Sequence, residues 1–322
     1  MITRALKAAA FFCSALTLAA SASAASAFPT KPIRLIVPFS PGGGTDILAR
    51  QLADQLTKSA GWNIVVENRP GGNGAIALSS ISRGTPDGHE VILALRENIV
   101  ITPLLQDAVS FNALEDFTSI VHVADSPMII VSGADSKYKN IKQVLDTARQ
   151  DPEALRFGTS GQGSMSHLLL AMLKDKAGAG MVHVPYKGSN PALSDMVGGH
   201  VELVGGSIGS AKSFLEGKRA VPLAVSSKER VAAFPDVPTI SEQGYPDFNV
   251  VTWYGLFGPK GVPQDIVQQI NSAVNKALQN PAFQSVLAQQ GMVTQSGSAS
   301  EFDAMFRADY KDLKQQLATL DM

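Results

Sequence analysis

Along most of this chain, apolar runs of strand length alternate with stretches whose apolar residues recur at helical spacing. Residues 33–39 form a continuous, β-branched run, the pattern of a strand buried on both faces. In 46–56, Ile47, Leu48, Leu52 and Leu56 fall on one helical face. Strands at 63–67 and 91–95 flank a helix over 74–82, which stops at the turn-rich Arg83-Gly-Thr-Pro-Asp-Gly88. Strand, helix, strand, helix, strand predicts a parallel sheet with helices on its faces. The rhythm then returns. Strands at 128–132, 156–158, 181–185, 201–204 and 221–226 are interleaved with helices over 141–149, 164–175 and 190–198. The halves share an architecture without a convincing sequence repeat. The last part departs from it: an extended run over 248–257 is followed by helices at 264–279, 281–290 and 300–320, the last with Ser300 and Asp303 placed as a cap.

Two extended runs, 118–132 and 248–257, are long enough to cross between compact halves. They predict an α/β protein of two lobes, lobe one at 28–127 plus 250–322 and lobe two at 128–249. A chain that crosses twice makes a two-strand hinge, which allows closure around a ligand. In open parallel sheets, ligands bind beyond the carboxyl ends of strands. Residues 41–45 fall at such an end.

Residues 1–27 read as a signal peptide, with Arg4 and Lys7 ahead of an apolar stretch over 8–20 and a small-residue cleavage site at Ala25-Ser-Ala27. Cleavage leaves about 295 residues, a length that suits two lobes. The single cysteine, Cys13, lies in the leader, so the mature chain is expected to have no disulfide, cysteine nucleophile or thiolate metal site. The leader holds two of the 27 basic residues and none of the 28 acidic ones, so its removal moves the formal charge from −1 to −3. That balance offers nothing to nucleic acid or to an anionic membrane surface. Beyond the leader no apolar run approaches the roughly 20 residues of a spanning helix. The five histidines are scattered without metal-ligand spacing, and no cofactor motif stands out. These features suit an exported monomer in the periplasm, since nothing suggests an obligate interface.

The candidate chemistry sits in glycine-rich strand–helix turns. Residues 39–46 read Phe-Ser-Pro-Gly-Gly-Gly-Thr-Asp. Prolines 38 and 41 fix the turn, the glycines let backbone N–H groups approach a ligand, and Thr45 or Asp46 is placed to cap the next helix. The sequence is neither G-x-G-x-x-G nor a Walker loop. Phe39, Ser40, Gly43, Gly44, Thr45 and Asp46 are the candidates here. A second turn, 158–167, supplies Thr159, Ser160, Gly161, Gly163, Ser164 and His167, many neutral donors without a fixed charge. A third, 185–192, offers Lys187, with Ser189 or Asn190 as cap. Each turn has a purely structural reading as a capped strand–helix connection, and His167 as a hydrogen-bonding residue inside its helix. Two facing glycine turns at helix starts would grip an anion from both sides. A rival reading is an exported hydrolase using Ser160 or Ser164 with His167, although no G-x-S-x-G elbow is present. Another is a ligand-sensing subunit for a membrane kinase.

Together these segments resemble the receptors of tripartite tricarboxylate transporters, the Bug family. The stretches that carry the resemblance are FPTKPIRLIVPF at 28–39 with the 41–46 turn, VENRPGG at 66–72, 157–168, VPYKG at 184–188 and TWYGLFGP at 252–259. The resemblance spans essentially the whole mature chain. It implies a two-lobed, periplasmic-binding-protein fold of type II-like architecture, each lobe a mostly parallel sheet flanked by helices, without catalysis. It implies an organic-acid ligand with one carboxylate held by the 39–46 and 158–164 loops, partly through ordered waters, and a membrane permease that takes the cargo. The chain departs from the family pattern twice. Gly205-Gly-Ser207 stands where a hydrophobic residue and Asp are frequent, which removes a hydrogen-bonding carboxylate and opens space, with Ser207 a further ligand-binding candidate. Residues 96–101 replace a small-polar, His-containing stretch, and Arg96 is expected to meet a distal carboxylate or polar group of the cargo. Pairing of Arg96 with Glu97 or Glu115 is its structural alternative.

Overall fold

The structure, a computed structural model, describes residues 28–106 and 109–320. The leader expected over 1–27, with Cys13, lies outside the described residues. The chain divides into Met1–Thr30 and Lys31–Met322, and the strands and helices of the described residues lie in the larger unit.

The first β-α-β-α-β run comes out as read. It comprises β1 (Ile33–Val37), α1 (Gly44–Ala60), β2 (Ile64–Asn68), α2 (Ala75–Ile81) and β3 (Glu90–Leu95). Helix α1 buries Leu48, Leu52 and Leu56 and ends at Gly61, whose left-handed φ of 70° admits the terminal hydrogen bond to Thr57. Beyond β3 the chain winds through a π turn, Glu97–Ile101, into a short α3 (Thr102–Leu105), neither of which the apolar pattern predicts. Then follow β4 (Phe117–Gly133), α4 (Ile141–Gln150), β5 (Arg156–Thr159), α5 (Met165–Ala177), β6 (Val182–Pro185) and α6 (Ser189–Val197). Strand β7 (Leu203–Ser207) leads into an unanticipated α7 (Ile208–Glu216), then β8 (Ala220–Val225) and β9 (Val251–Pro259). The C-terminal part is α8 (Gln264–Leu278), α9 (Pro281–Gln289), β10 (Val293–Thr294) and α10 (Ala299–Leu317).

The sheet path runs β2-β1-β3-β9-β4-β7-β5-β6, with β8 and β10 pairing to β4 outside it. Its outer pairs, β1 with β2 and β3, and β5 with β6 and β7, are parallel, as helical crossovers require. Its middle is antiparallel because the crossing strands run back and forth between the lobes, so the sheets are mixed rather than mostly parallel. The 17-residue β4 changes partners along its length. From Phe117 to Pro127 it pairs with β9, and from Met128 to Gly133 with β7 and β8. The second crossing runs beside this switch. Buried Ser226 accepts the Met128 N–H at 2.8 Å, and its hydroxyl donates to the Val250 carbonyl.

One core cluster packs Ile92, Leu78, Phe257 and Phe306 together with Leu145, Phe157 and Leu169, and a second gathers Ile129, Leu193 and Ile208. Trp253 is core, edge-on to Phe302 and Phe306 of α10. The cap of α10 lies two residues ahead of the expected one. Ser298 accepts from Glu301 N–H at 3.2 Å and the Glu301 carboxylate accepts from Ser298 N–H at 2.8 Å, while Asp303 is engaged by Ser119 and Arg307. Ser298→Ala should cost about 1 kcal/mol in urea melts, with ligand binding unchanged. Among the described residues no helix is long and apolar enough to cross a membrane, and no cluster of His, Cys, Asp or Glu could hold a metal ion.

Candidate functional site

The turn after β1 is held by Asp46. Helix α1 starts at Gly44 with Gly43 as its N-cap, so neither Thr45 nor Asp46 caps it by side chain. Asp46, in the first turn, folds back instead. Its Oδ2 accepts from Gly42 N–H and Arg50 Nε, each at 2.9 Å, and its Oδ1 accepts from Asn68 Nδ2 at 2.9 Å. Asn68 also donates to the Phe39 carbonyl at 3.0 Å, tying the end of β2 to the turn. Arg50 first, then the Gly42 and Asn68 bonds, hold the Asp46 carboxyl at about 2 against the opposing effect of burial. The side chain therefore shapes the turn. The N–H groups of Gly44 and Thr45 precede the helical ladder, and both residues line the cavity.

The second turn spends its hydroxyls on itself. Ser164 caps α5 by accepting from His167 N–H at 3.2 Å. Ser166 Oγ takes the Ser160 N–H at 2.8 Å and lies 3.0 Å from both Ser160 Oγ and Ser164 Oγ. Gly163 N–H donates to Nδ1 of His167 at 3.2 Å, and the His167 ring stacks on His183 at 4.0 Å. Thr159 Oγ1 lies 2.6 Å from Nε2 of His183, whose pKa is lowered by burial first and then by the charge of Lys174. Gly161, at φ 138°, and Gly163, at φ 71°, supply backbone shapes that L side chains rarely adopt. Of this turn, Ser160 lines the cavity.

Two further turns complete a cavity of about 800 Å³. At the third, Gly188 is the N-cap of α6 without a side-chain bond, so Ser189 and Asn190 are not caps but first-turn residues that line the cavity. At the fourth, Ser207 caps α7, accepting from Ser210 N–H at 3.2 Å, and both serines face the cavity. Gly205 makes room for the Phe157 ring, since a Cβ there would sit 2.8 Å from it, while a Cβ on Gly206 would meet Ser189 at 3.5 Å. Three helices, α1, α6 and α7, thus present N-terminal residues to one space, each adding partial positive charge.

Phe39, Ser40, Gly43, Gly44, Thr45, Ser160, Lys187, Ser189 and Ser207 line the cavity. Asp46, Thr159, Gly161, Gly163, Ser164 and His167 stand behind them and hold the turns. Arg96 is also absent from the lining, contrary to the expectation for it. Its Nε and Nη2 bind the Asp309 carboxylate of α10 at 2.8 and 2.7 Å, and Trp253 Nε1 donates to the same carboxylate at 2.9 Å. The lining includes residues not anticipated from sequence: Asn73, Glu97, Ser126, Tyr254 and Met292 among them. Glu97 was not legible from strand alternation, because β3 ends at Leu95 and Arg96 is already helical at φ −44° and ψ −43°; the π turn brings Glu97 to the cavity. Burial pushes the Glu97 carboxyl up to about 7, against donation from the Asn73 amide and the Met165 N–H. Burial, with Glu97 adding to it, also raises the Tyr254 phenol.

Residues 48–319 match the model of the tripartite tricarboxylate transporter family receptor. The chain is 34% identical to the protein BugT of Bordetella pertussis, over 90% of this chain and 89% of that one. Among solved structures, an R. palustris protein with adipate superposes with a TM-score of 0.83 at 29% identity, covering 91% of this chain and 99% of the other. MatC from Rhodopseudomonas palustris, with bound malate, gives 0.78 at 26% identity, covering 89% and 99%.

Proposed function

The chain belongs to the tripartite tricarboxylate transporter receptor family, and from that premise we propose that it captures a small organic acid between its two lobes for delivery to a membrane permease. In this reading lobe one is 28–127 plus 250–322 and lobe two is 128–249; the change of β4 partner from β9 to β7 between Pro127 and Met128 supports the first boundary. The observation that carries the reading is the convergence of three helix N-termini and Lys187 on one cavity. Unladdered N–H groups of Gly44 and Thr45, with Ser160, Ser189 and Ser207, replace the water around a carboxylate. Relatives solved with adipate and malate support an acid as cargo. Ligand bound across both lobes favours the closed arrangement and so shifts the population toward it.

The reading gives the protein no catalytic step. Nδ1 of His167 accepts from Gly163 N–H and Ser164 serves the His167 backbone, an arrangement that fixes a loop. The leader 1–27 takes the chain to the periplasm, where it works as a monomer.

The test is the melting temperature of the refolded protein against mono-, di- and tricarboxylic and aromatic acids. At 100-fold above its dissociation constant, the cargo adds about 2.7 kcal/mol, a shift of a few degrees in a chain this long. A shift confined to one chemical subset is expected. No shift with any carboxylate would sink the reading.

A further inference from the structure

Glu97 and Lys187 are the two charged side chains lining the cavity, and they come from different elements. Lys187, on the exposed turn before α6, adds to the positive field of the helix N-termini. Glu97, when ionised, opposes that field and repels a second carboxylate placed beside it. Among the described residues no arginine, lysine or histidine forms an ion pair with it. The groups that donate to it are neutral, the Asn73 amide and the Met165 backbone N–H. Asn73 is held for this task in the left-handed region, at φ 50°, with its Nδ2 also 2.9 Å from Thr102 Oγ1. Arg96, the nearest cation in sequence, is committed to Asp309. Glu97 is therefore a carboxyl group in a ligand cavity whose counter-charge the protein does not supply.

A second carboxylate of a bound diacid beside Glu97 would meet like charge in a partly dehydrated space. A positively charged or N–H-donating nitrogen there would supply the missing partner and favour the ionised carboxylate. We propose that the cargo is an organic acid that also carries such a nitrogen, and that Glu97 is the residue that selects it. This inference rests on the carboxylate reading of the cavity. The helix N-termini take the acid and Glu97 takes the nitrogen.

Two matched pairs of probes test it on refolded protein by calorimetry: 4-aminobutanoate against pentanedioate, and 4-(aminomethyl)benzoate against benzene-1,4-dicarboxylate. At pH 8 Glu97, with a pKa of about 7, is mostly ionised. The amino acid of at least one pair should bind on the order of tenfold more tightly than its diacid. Glu97→Gln, which keeps the size and the hydrogen-bonding oxygen, should remove that preference or invert it, and Glu97→Asp should retain its direction. The wild-type preference needs no variant, so a folding defect in either substitution leaves the test standing. Tighter binding of the diacid in both pairs, or the same ratio in a folded Glu97→Gln, would overturn the inference. If all four probes fail while another acid from the melting panel binds, this inference falls alone. If no acid binds at all, the carboxylate reading falls with it.

Discussion

Asp46→Ala should weaken cargo binding by at least about tenfold and destabilise the protein by up to about 2.5 kcal/mol at pH 7, although the residue does not line the cavity. The carboxylate gathers the Gly42 N–H, the Arg50 guanidinium and the Asn68 amide at 2.9 Å each. Without it, the turn loses the bonds that set Gly43, Gly44 and Thr45, and the anion-binding N–H groups must be ordered when ligand arrives. The folded-state pKa of about 2 lies below the ordinary 3.8, so the ionised form is favoured by folding. That contribution is complete above about pH 4 and is lost as pH falls toward 2. The stability figure is an upper one, because the Arg50 side chain is 51% exposed and its share is screened by solvent. Urea melts of variant and wild type should differ at pH 7 and converge near pH 2. An unchanged midpoint at pH 7 together with unchanged affinity would show that the turn holds itself.

Arg96→Ala should cost about 3–5 kcal/mol and leave ligand preference untouched. Arg96 and Asp309 are 12% and 17% exposed, and the guanidinium meets the carboxylate through two nitrogens. Removing the arginine leaves Asp309 half-buried with Trp253 Nε1 as its remaining strong donor. The pair anchors α10 to the end of β3, so the helix should loosen first. Pairing Arg96→Met with Asp309→Leu should recover part of the loss, since two apolar side chains leave no buried charge unmet. A changed order of ligand affinities in Arg96→Ala, with stability intact, would return Arg96 to the binding site.

Elements with a clean period were legible in the sequence. The first β-α-β-α-β run came out within four residues at each boundary, because its strands carry continuous apolar runs and its helices one apolar stripe. The π turn after β3 was not legible, since Ile99, Val100 and Ile101 are all buried and show no period to read. At the site, glycine turns announced themselves through composition. What composition could not tell is which polar groups face inward. The hydroxyl of Ser164 and the carboxylate of Asp46 look like ligand-contacting groups in sequence, yet each closes a bond within its own turn or to the next strand. Tyr254, Ser126 and Met292 enter the cavity from crossing strands and from the segment after α9, so only tertiary structure brings them there.

The position of β9 dictates an order of assembly. It lies between β3 and β4, pairing with both, yet it is made more than 100 residues after either. Strands β5 to β8 and the half of β4 they join are contiguous in the chain, with short loops to close, and can condense early. The other sheet must wait, with the edges of β3 and β4 unpaired across a strand-wide gap until the last quarter of the polypeptide arrives. A chain made from its N-terminus passes through this gap before β9 exists, and in that interval it is most prone to pair with the wrong neighbour. Protection from chaperones is thus needed longest by the half of the molecule that is synthesised first.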